Sequence, residues 1–178
     1  SGDVVQTQLM PDLEISDKQL AHAQKFAAFA RADQIKLPTS STPEVSIIIP
    51  IYNQLDLTLG CLESLVRHTG ETGFEVIIID DNSEPRVRET LSRVQGLHLI
   101  SNKENQGFIY NCNLGANKAL GKYVLFLNND TEVCSGWLDA MKQVFLDRPR
   151  AGAVGAKLVY PDGHLQEAGG ILWEDASG

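Results

Sequence analysis

The feature that most constrains the fold is a series of apolar runs that each end abruptly in polar residues. The longest of these runs are residues 45–49, 74–79 and 123–127. Between them lie segments of about ten residues whose apolar positions recur at helical spacing. Nearly continuous apolar strands that alternate with helices are typical of a mainly parallel sheet with helices on both faces. The sequence therefore predicts an α/β fold.

We predict five strands and four helices after residue 43. The strands are residues 45–49, 74–79, 97–100, 123–127 and 153–159, and a turn follows at Pro161-Asp162-Gly163. The helices are residues 57–67, a helix that carries Val87, Leu91 and Val94, residues 109–120, and residues 137–146. Ser83 is expected to cap the second of these helices, and Gly121 is expected to end the third at its C′ position.

The first 43 residues differ in character from the rest. Ser16 and Gln19 form a capping box, in which the two residues satisfy each other's backbone N–H groups. An amphipathic helix is predicted over residues 17–33 from apolar residues at helical spacing: Leu20, Ala23, Phe26, Ala27, Ala30. A Pro/Ser/Thr-rich linker occupies residues 38–43. We therefore divide the chain into residues 1–43, the N-terminal helix and linker, and residues 44–178, the main domain.

Composition and charge exclude several classes of function. The net charge is −8 at pH 7 and lies mostly in the main domain, which makes nucleic acid a poor partner. A phosphate-bearing ligand would need a metal or local hydrogen-bond donors to offset the same repulsion. Cys61, Cys112 and Cys134 have no paired spacing, so we predict neither a disulfide framework nor a zinc site. No apolar run approaches the ~20 residues of a membrane span, so we predict no transmembrane segment.

Polar residues cluster where the predicted strands end. Asn53 follows the first strand, Asp81 follows the second and Asp130 follows the fourth. In open α/β sheets, ligands bind at the carboxyl ends of the strands. Such side chains can accept hydrogen bonds from a base and a ribose, and can ligate a hard cation. Because the sequence has neither a P-loop nor a G-x-G-x-x-G motif, a divalent cation held by Asp130 is the natural candidate for binding phosphates.

Four motifs in a fixed order lead to a resemblance. They are Val-Ser-Ile-Ile-Ile-Pro-Ile-Tyr-Asn at 45–53, Val-Ile-Ile-Ile-Asp-Asp-Asn-Ser at 76–83, Asn-Gln-Gly-Phe at 105–108 with Asn113 and Gly115, and Gly-Lys-Tyr-Val-Leu-Phe-Leu-Asn-Asn-Asp at 121–130. With these four motifs at the predicted strand ends, the chain resembles glycosyltransferase family 2 from about Glu44 to the C-terminus. The resemblance implies a GT-A fold, which is a Rossmann-like, mainly parallel sheet, and a nucleotide-sugar-binding role for this part of the chain.

The resemblance implies roles for residues around a nucleobase. The turn that packs on the base corresponds to four residues: Pro50, Ile51, Tyr52, Asn53. Asp81 matches the carboxylate that accepts the N3–H of a uracil or thymine, and Asp80 matches its more structural neighbour. Asn105, Gly107 and Asn113 match the third motif, either as contacts of the nucleotide sugar or only as residues of a turn and a helix start.

The same resemblance places a metal near the fourth strand. Asn128, Asn129 and Asp130 match the D-x-D motif, whose acids bind the ribose and the metal that bridges the diphosphate. This chain departs from the pattern because Asn128 replaces the first Asp. An amide oxygen can still accept a hydroxyl or ligate a cation, but it brings no charge. The expected metal is Mg²⁺ or Mn²⁺, with Asp130 as its anionic ligand.

The implied reaction is an inverting, metal-assisted transfer of a sugar from a UDP- or dTDP-sugar to an acceptor hydroxyl. The implied acceptor is a glycan or lipid-linked glycan in bacterial surface polysaccharide synthesis. The implied location is cytoplasmic, at the inner face of the membrane through that acceptor. The family's catalytic base lies in an acidic motif of the C-terminal half, and Glu174-Asp175 comes too early and lacks that motif's flanking residues. We therefore expect a domain truncated at its carboxyl end, a base beyond Gly178, and no transfer by this chain alone.

Two other classes of function share part of this pattern. A receiver-like signalling domain also clusters acids at strand ends, but it carries its acid pair after the first strand, where this chain has Pro50-Ile51-Tyr52. A nucleotide-binding or interaction module without catalysis stays open as the alternative, because Asn128 weakens the metal site and the base is missing.

Overall fold

A computed structural model describes residues 16–168 of the chain. Its main sheet has four strands in the order β3-β2-β1-β4, and all of its pairings are parallel. The strands are β1 (Val45–Ile51), β2 (Phe74–Asp80), β3 (Leu97–Ser101) and β4 (Tyr123–Phe126). The helices of the described part are α1 (Asp17–Gln34), α2 (Leu55–Arg67), α3 (Pro85–Leu91), α4 (Phe108–Ala116) and α5 (Trp137–Asp147). The α/β class predicted from the alternating pattern is confirmed.

Both faces of the central strands β1 and β2 are covered, which explains their continuous apolar runs. All residues of β1 and β2 are buried. On one face, Ile48, Ile77 and Ile79 pack together with Leu114 of α4. On the other face, the alternate residues of the same strands pack in a larger cluster with side chains from α1, α2, α3 and α5. Strands buried on both faces do not alternate polar and apolar residues, so isoleucine and valine predominate in them, with Ser46 and Glu75 as a buried polar pair joined by a hydrogen bond.

The predicted fifth strand is wrong as a member of the main sheet. Only β5 (Leu158–Val159) forms from residues 153–159, and it pairs antiparallel with β6 (Leu165–Glu167) in a separate two-stranded sheet. The predicted turn brings these strands together, with Gly163 at a positive φ of 87° and its N–H donating to the Tyr160 carbonyl. The preceding residues are mostly alanine and glycine, which bury too little apolar surface to hold a strand against the sheet.

Two of the predicted helix ends are also wrong. Ser83 does not cap α3, whose N-cap is Glu84, followed by Pro85 at the first helical position. Helix α4 ends at Ala116 rather than at residue 120, so Gly121 is not its C′ residue. The Glu75 carboxylate accepts the Leu120 N–H instead, at 2.8 Å. A side chain from β2 thus takes a backbone donor that a longer helix would have paired internally.

Helix α1 packs through a different face from the one predicted. Its capping box is present, but Leu20 and Phe26 are exposed, whereas Ala28 and Ala32 are buried. Four ion pairs tie α1 to α2, to α3 and to the turn after α3. They join Arg31 to Asp56 and Glu63, Lys25 to Glu89, and Asp33 to Arg93. Small alanine side chains let the helices approach closely, and the charged residues beside them then meet partners. The larger apolar residues therefore remain outside.

Strand β4 is the edge of the described sheet on one side. Among residues 16–168 it pairs only with β1. Val124 and Phe126 on this strand, and Phe108 and Ile109 at the start of α4, are exposed. No helix in the described part of the chain combines the length and the apolar character needed to span a membrane.

Candidate functional site

Three strands bring the candidate residues to one edge of the sheet. Strand β1 lies between β2 and β4, and all three run parallel. Tyr52, Asp81 and Asp130 follow the carboxyl ends of these strands. Since neighbouring strands lie about 4.8 Å apart, β2 and β4 lie roughly 10 Å apart across the sheet, with β1 between them. This spacing suits a ligand about as wide as a nucleoside.

The turn after β1 presents one aromatic ring. Pro50 and Ile51 are buried within β1, whereas Tyr52 is 57% exposed. Asn53 has a positive φ of 58°. Its N–H donates to the Ser83 hydroxyl at 2.7 Å, and its Oδ1 accepts the Glu84 N–H at 3.0 Å. Asn53 therefore ties this turn to the end of β2, and the ring of Tyr52 is the part left to contact a ligand.

The two neighbouring acids Asp80 and Asp81 are both buried, at 0% and 3% exposure, but they have different partners. Asp80 is fully buried, and its Oδ1 accepts the Ser83 N–H at 2.9 Å. Its Oδ2 has no hydrogen-bond donor among the described residues and lies 3.8 Å from Nε of Arg88. Asp80 thus lies beneath the site and braces the turn after β2, out of reach of a ligand at the surface.

Asp81 forms the centre of a hydrogen-bond network. Its Oδ1 accepts from Nδ2 of Asn102 at 2.9 Å and from the Gln106 N–H at 2.8 Å, and its Oδ2 accepts from the Gly107 N–H at 2.9 Å. Asn102 also donates to Oδ1 of Asn111 at 2.7 Å. Burial alone would raise the pKa of the Asp81 carboxyl, but the hydrogen bonds from Gln106, Asn102 and Gly107, together with the nearby amide of Asn111, hold that pKa below its ordinary value. Asp81 is therefore a carboxylate at neutral pH.

Two members of this network were absent from the sequence-based site. Asn102 directly follows β3, and Asn111 is only 2% exposed in α4. One signal existed in the sequence: Asn111 lies four residues before Gly115, which packs directly on Ile48, so the two share the inward face of the helix. By contrast, Asn105 and Asn113 are exposed.

The segment after β4 packs against α2. Nδ2 of Asn129 donates to the Thr58 hydroxyl at 3.0 Å, and the Cys61 thiol lies 3.8 Å from the Asn128 carbonyl oxygen. Burial, followed by the charges of Asp130 and Glu132, raises the pKa of Cys61 to about 12. Cys61 is therefore a neutral thiol in the core. These contacts hold the 128–130 backbone against α2 and leave the side chains of Asn128 and Asp130 exposed.

The acids at this edge do not form a closed metal cage. Within residues 16–168, no group of three or more His, Cys, Asp or Glu side chains is arranged to hold an ion. Asp130 offers one exposed carboxylate beside the amides of Asn128 and Asn129. Mg²⁺ and similar cations commonly use one or two protein carboxylates and complete their shell with substrate phosphates and water. These metal ligands therefore suit a cation that binds together with a diphosphate.

A family model described as Glycosyl transferase family 2 matches residues 46–173, well over half of the chain. The chain belongs to this family. One relative of this glycosyltransferase chain is the O-antigen biosynthesis protein RfbC of Myxococcus xanthus, 36% identical over 143 residues, which are 78% of this chain and 11% of that protein. Another is an uncharacterized glycosyltransferase of Haemophilus influenzae, 38% identical over 103 residues, or 56% of this chain and 35% of the relative.

Solved glycosyltransferase structures share the fold. The mannosyltransferase PcManGT of Pyrobaculum calidifontis, in complex with GDP-Man and Mn²⁺, aligns with a TM-score of 0.52 at 20% identity over 80% of this chain and 46% of that chain. Residues 1–349 of TarS of S. aureus align with a TM-score of 0.52 at 22% identity over 64% of this chain and 39% of that one. The expected GT-A fold is confirmed, and the chain spans less than half of each of these structures.

Proposed function

We propose that this glycosyltransferase chain binds the nucleoside diphosphate sugar of an inverting transferase, with UDP or dTDP as the nucleotide. The observation that carries the proposal is the position of Tyr52, Asp81 and Asp130 after three adjacent parallel strands. The ring of Tyr52 can stack on a base, and the carboxylate of Asp81 can accept the N3–H of a pyrimidine dione. Asp130 lies on the opposite side of β1, where the diphosphate would follow the ribose.

In the proposed reaction, the oxygen of an acceptor hydroxyl attacks the anomeric carbon. The bond from that carbon to the diphosphate oxygen breaks, and the nucleoside diphosphate leaves with the electron pair. A single displacement inverts the configuration at the anomeric carbon. The hydroxyl proton passes to a general base. None of the three acids at this edge of the described structure suits that role: Asp80 is buried, Asp81 already accepts three hydrogen bonds and is assigned to the base, and Asp130 is assigned to the cation.

A divalent cation, Mg²⁺ or Mn²⁺, is part of the proposal. When bound, it would neutralise charge on the leaving diphosphate. Support comes from the exposed Asp130 carboxylate and from the mannosyltransferase of the same fold, which was solved with Mn²⁺. The overall negative charge of this chain adds a second reason, because diphosphate binding without a cation would meet electrostatic repulsion.

Replacing Asp130 is expected to uncouple nucleotide binding from the metal. With Mn²⁺, the parent protein should bind UDP at least about tenfold more tightly than with EDTA, in line with ~1.5 kcal/mol or more for a charge-assisted contact. Asp130→Asn should bind UDP equally with and without Mn²⁺. Calorimetric titration measures both, and Asp162→Asn on the β5–β6 turn is the matched control. An Asp130→Asn protein that keeps the full Mn²⁺ effect would contradict the assignment.

The nucleobase assignment predicts a preference among nucleotides. UDP and dTDP should bind more tightly than ADP or GDP, because adenine lacks a donor at the matching edge and guanine has a different shape. Asp81→Asn should lose on the order of 1–3 kcal/mol of UDP binding, the size of a hydrogen bond to a charged group. Asp147→Asn, at the exposed end of α5, is the control. Equal affinity of the parent protein for all four nucleotides would refute the assignment.

The pH dependence of this binding follows from the lowered pKa of Asp81. A group whose pKa is depressed stays ionised down to a lower pH than a free aspartate, whose pKa is about 3.9. The contribution of Asp81, measured as the ratio of the UDP dissociation constants of Asp81→Asn and the parent, should therefore stay constant as the pH falls from neutrality toward about 5, because protonation of the terminal phosphate at about pH 6 affects both proteins alike. It should weaken only when the pH approaches the lowered pKa.

The biological setting is proposed from the relatives. The name of the Myxococcus protein supports a role in synthesis of a bacterial surface polysaccharide, with a glycan or lipid-linked glycan as acceptor at the cytoplasmic face of the membrane. The second candidate is a nucleotide-binding or interaction module without catalysis, favoured by the uncharged Asn128 in the D-x-D position. Sugar transfer by a longer polypeptide that contains this chain would decide between them.

A further inference from the structure

The two oxygens of the Asp81 carboxylate are not equivalent. A carboxylate oxygen can accept about two hydrogen bonds. Oδ1 already accepts two, from Asn102 and from the Gln106 backbone. Oδ2 accepts one, from the Gly107 backbone. The carboxylate therefore keeps one acceptor position for one further donor, and that position is on Oδ2.

We propose that Asn102 and Asn111 are positioning residues, which fix the Asp81 side chain so that Oδ2 receives the N3–H of the donor nucleobase. This inference rests on the proposed function and deepens it by naming what sets the direction of the base-binding carboxylate. Neither asparagine is required to touch the nucleotide. Both act through the orientation of Asp81.

The geometry of Asn102 supports this role. An amide nitrogen carries two hydrogens, and Nδ2 of Asn102 uses one toward Asp81 and the other toward Oδ1 of Asn111. The backbone of Asn102 is held as well, because its N–H donates to the Asp80 carbonyl at 2.8 Å. The side chain therefore cannot rotate without losing two hydrogen bonds at once. Asn102 links the ends of β2 and β3 to α4.

Asn111 is the buried last member of the hydrogen-bonded series that runs from Asp81 through Asn102. It is only 2% exposed, and its backbone N–H donates to the Gly107 carbonyl. A buried acceptor needs a donor, so Asn111 fixes which way the Asn102 amide faces. Without Asn111, the Asn102 amide could turn over and direct its oxygen toward the Asp81 carboxylate, which would repel it. The two asparagines therefore act as one unit on Oδ1.

The backbone donors of Gln106 and Gly107 do not need the asparagines to remain near Asp81. They belong to the loop that leads into α4 and approach the carboxylate from that side. Loss of Asn102 or Asn111 should leave this loop in place, but Oδ1 would then keep one hydrogen bond instead of two, and the orientation of the carboxylate would be less restricted. Rotation weakens a directional hydrogen bond to the base much more than it weakens contacts to the ribose or the diphosphate.

The test compares UDP with N3-methyl-UDP, in which a methyl group replaces the N3 hydrogen. Dissociation constants are measured by calorimetry with Mn²⁺ for the parent chain, Asn102→Ala, Asn111→Ala and the control Asn117→Ala, which alters an exposed residue at the end of α4. The parent and the control should favour UDP over the methylated nucleotide by about 10- to 100-fold, as for a hydrogen bond to a charged group. In both asparagine variants, that ratio should fall below about threefold.

If UDP and N3-methyl-UDP weaken equally in Asn102→Ala, so that their ratio keeps the parent value, Asn102 is only structural and the proposal is overturned. Asn102 is partly exposed, so this variant decides the matter even if Asn111→Ala does not fold, which circular dichroism would reveal. If the parent chain itself does not discriminate between the two nucleotides, the base assignment fails and this proposal fails with it.

Discussion

Given a nucleotide sugar, Mn²⁺ and an acceptor, this chain alone is expected to transfer sugar at least ~10²–10⁴ times more slowly than a longer polypeptide with the acceptor-binding part of the family fold. That factor is the usual cost of losing a general base. Loss of acceptor positioning adds to it. The chain spans only 46% of the mannosyltransferase chain and 11% of the Myxococcus relative that it matches.

The described structure supplies two physical reasons for this expectation. Asp80 is buried and Asp81 already accepts three hydrogen bonds, and the proposed function assigns Asp130 to the cation, so none of these acids is expected to take a proton from an acceptor. The apolar side chains of Val124 and Phe126 on the edge strand β4 are also exposed. A surface of this kind is normally covered by further structure.

Nucleotide binding by this chain and by the longer polypeptide must be measured separately from sugar transfer. Both proteins should bind UDP with similar affinity, and slow hydrolysis of the donor by water should persist in the shorter chain. A shorter chain that transfers sugar to the acceptor at nearly the rate of the longer one would contradict the prediction. Glu167 in β6, together with Glu174 and Asp175 outside the described residues, would then be the first acids to replace.

Replacing Gly121 with alanine is expected to lower the free energy of unfolding by roughly 3 kcal/mol, the upper end of the usual range for overpacking. A β-carbon at this position would lie 2.6 Å from the backbone nitrogen of Ser46 and 2.7 Å from the carbonyl carbon of Val45. These atoms belong to β1, which is paired on both sides and cannot move aside cheaply. The Gly121 N–H also donates to the Ser46 hydroxyl at 2.8 Å, and a shift would break that bond.

Urea unfolding of the variant and of a matched glycine control provides the measurement. Gly73→Ala is the control, because a β-carbon there meets no atom within 4 Å. Its stability should stay within about 0.5 kcal/mol of the parent, as for most surface substitutions. The Gly121→Ala midpoint should fall with an unchanged slope. A midpoint equal to that of the control would show that the chain before β4 can move away from β1 at little cost.

Much of the fold could be predicted from the sequence because the decisive signals are local. Runs such as 45–49 and 74–79 predicted two central strands, and the acid pair after the second run predicted a site at the strand ends. The GT-A fold and the family were identified from four motifs and are confirmed by the comparisons. The roles of the individual site residues remain predictions. The fifth strand was predicted wrongly because its first residues, 153–157, are mostly alanine and glycine and show no clear preference for a strand in the main sheet.

Sequence alone determined the alternation of strands and helices and the polar residues that end each strand, because these depend on neighbours along the chain. Only the tertiary structure decided which donors surround Asp81, which face of α1 is buried, and why position 121 is glycine. The contact of Asn102 with Asp81 spans 21 residues, and that of Gly121 with Ser46 spans 75. Contacts between such distant residues arise only when strands pair side by side and bring their ends together. The periodic pattern of apolar residues along the chain does not identify the residues that make these contacts.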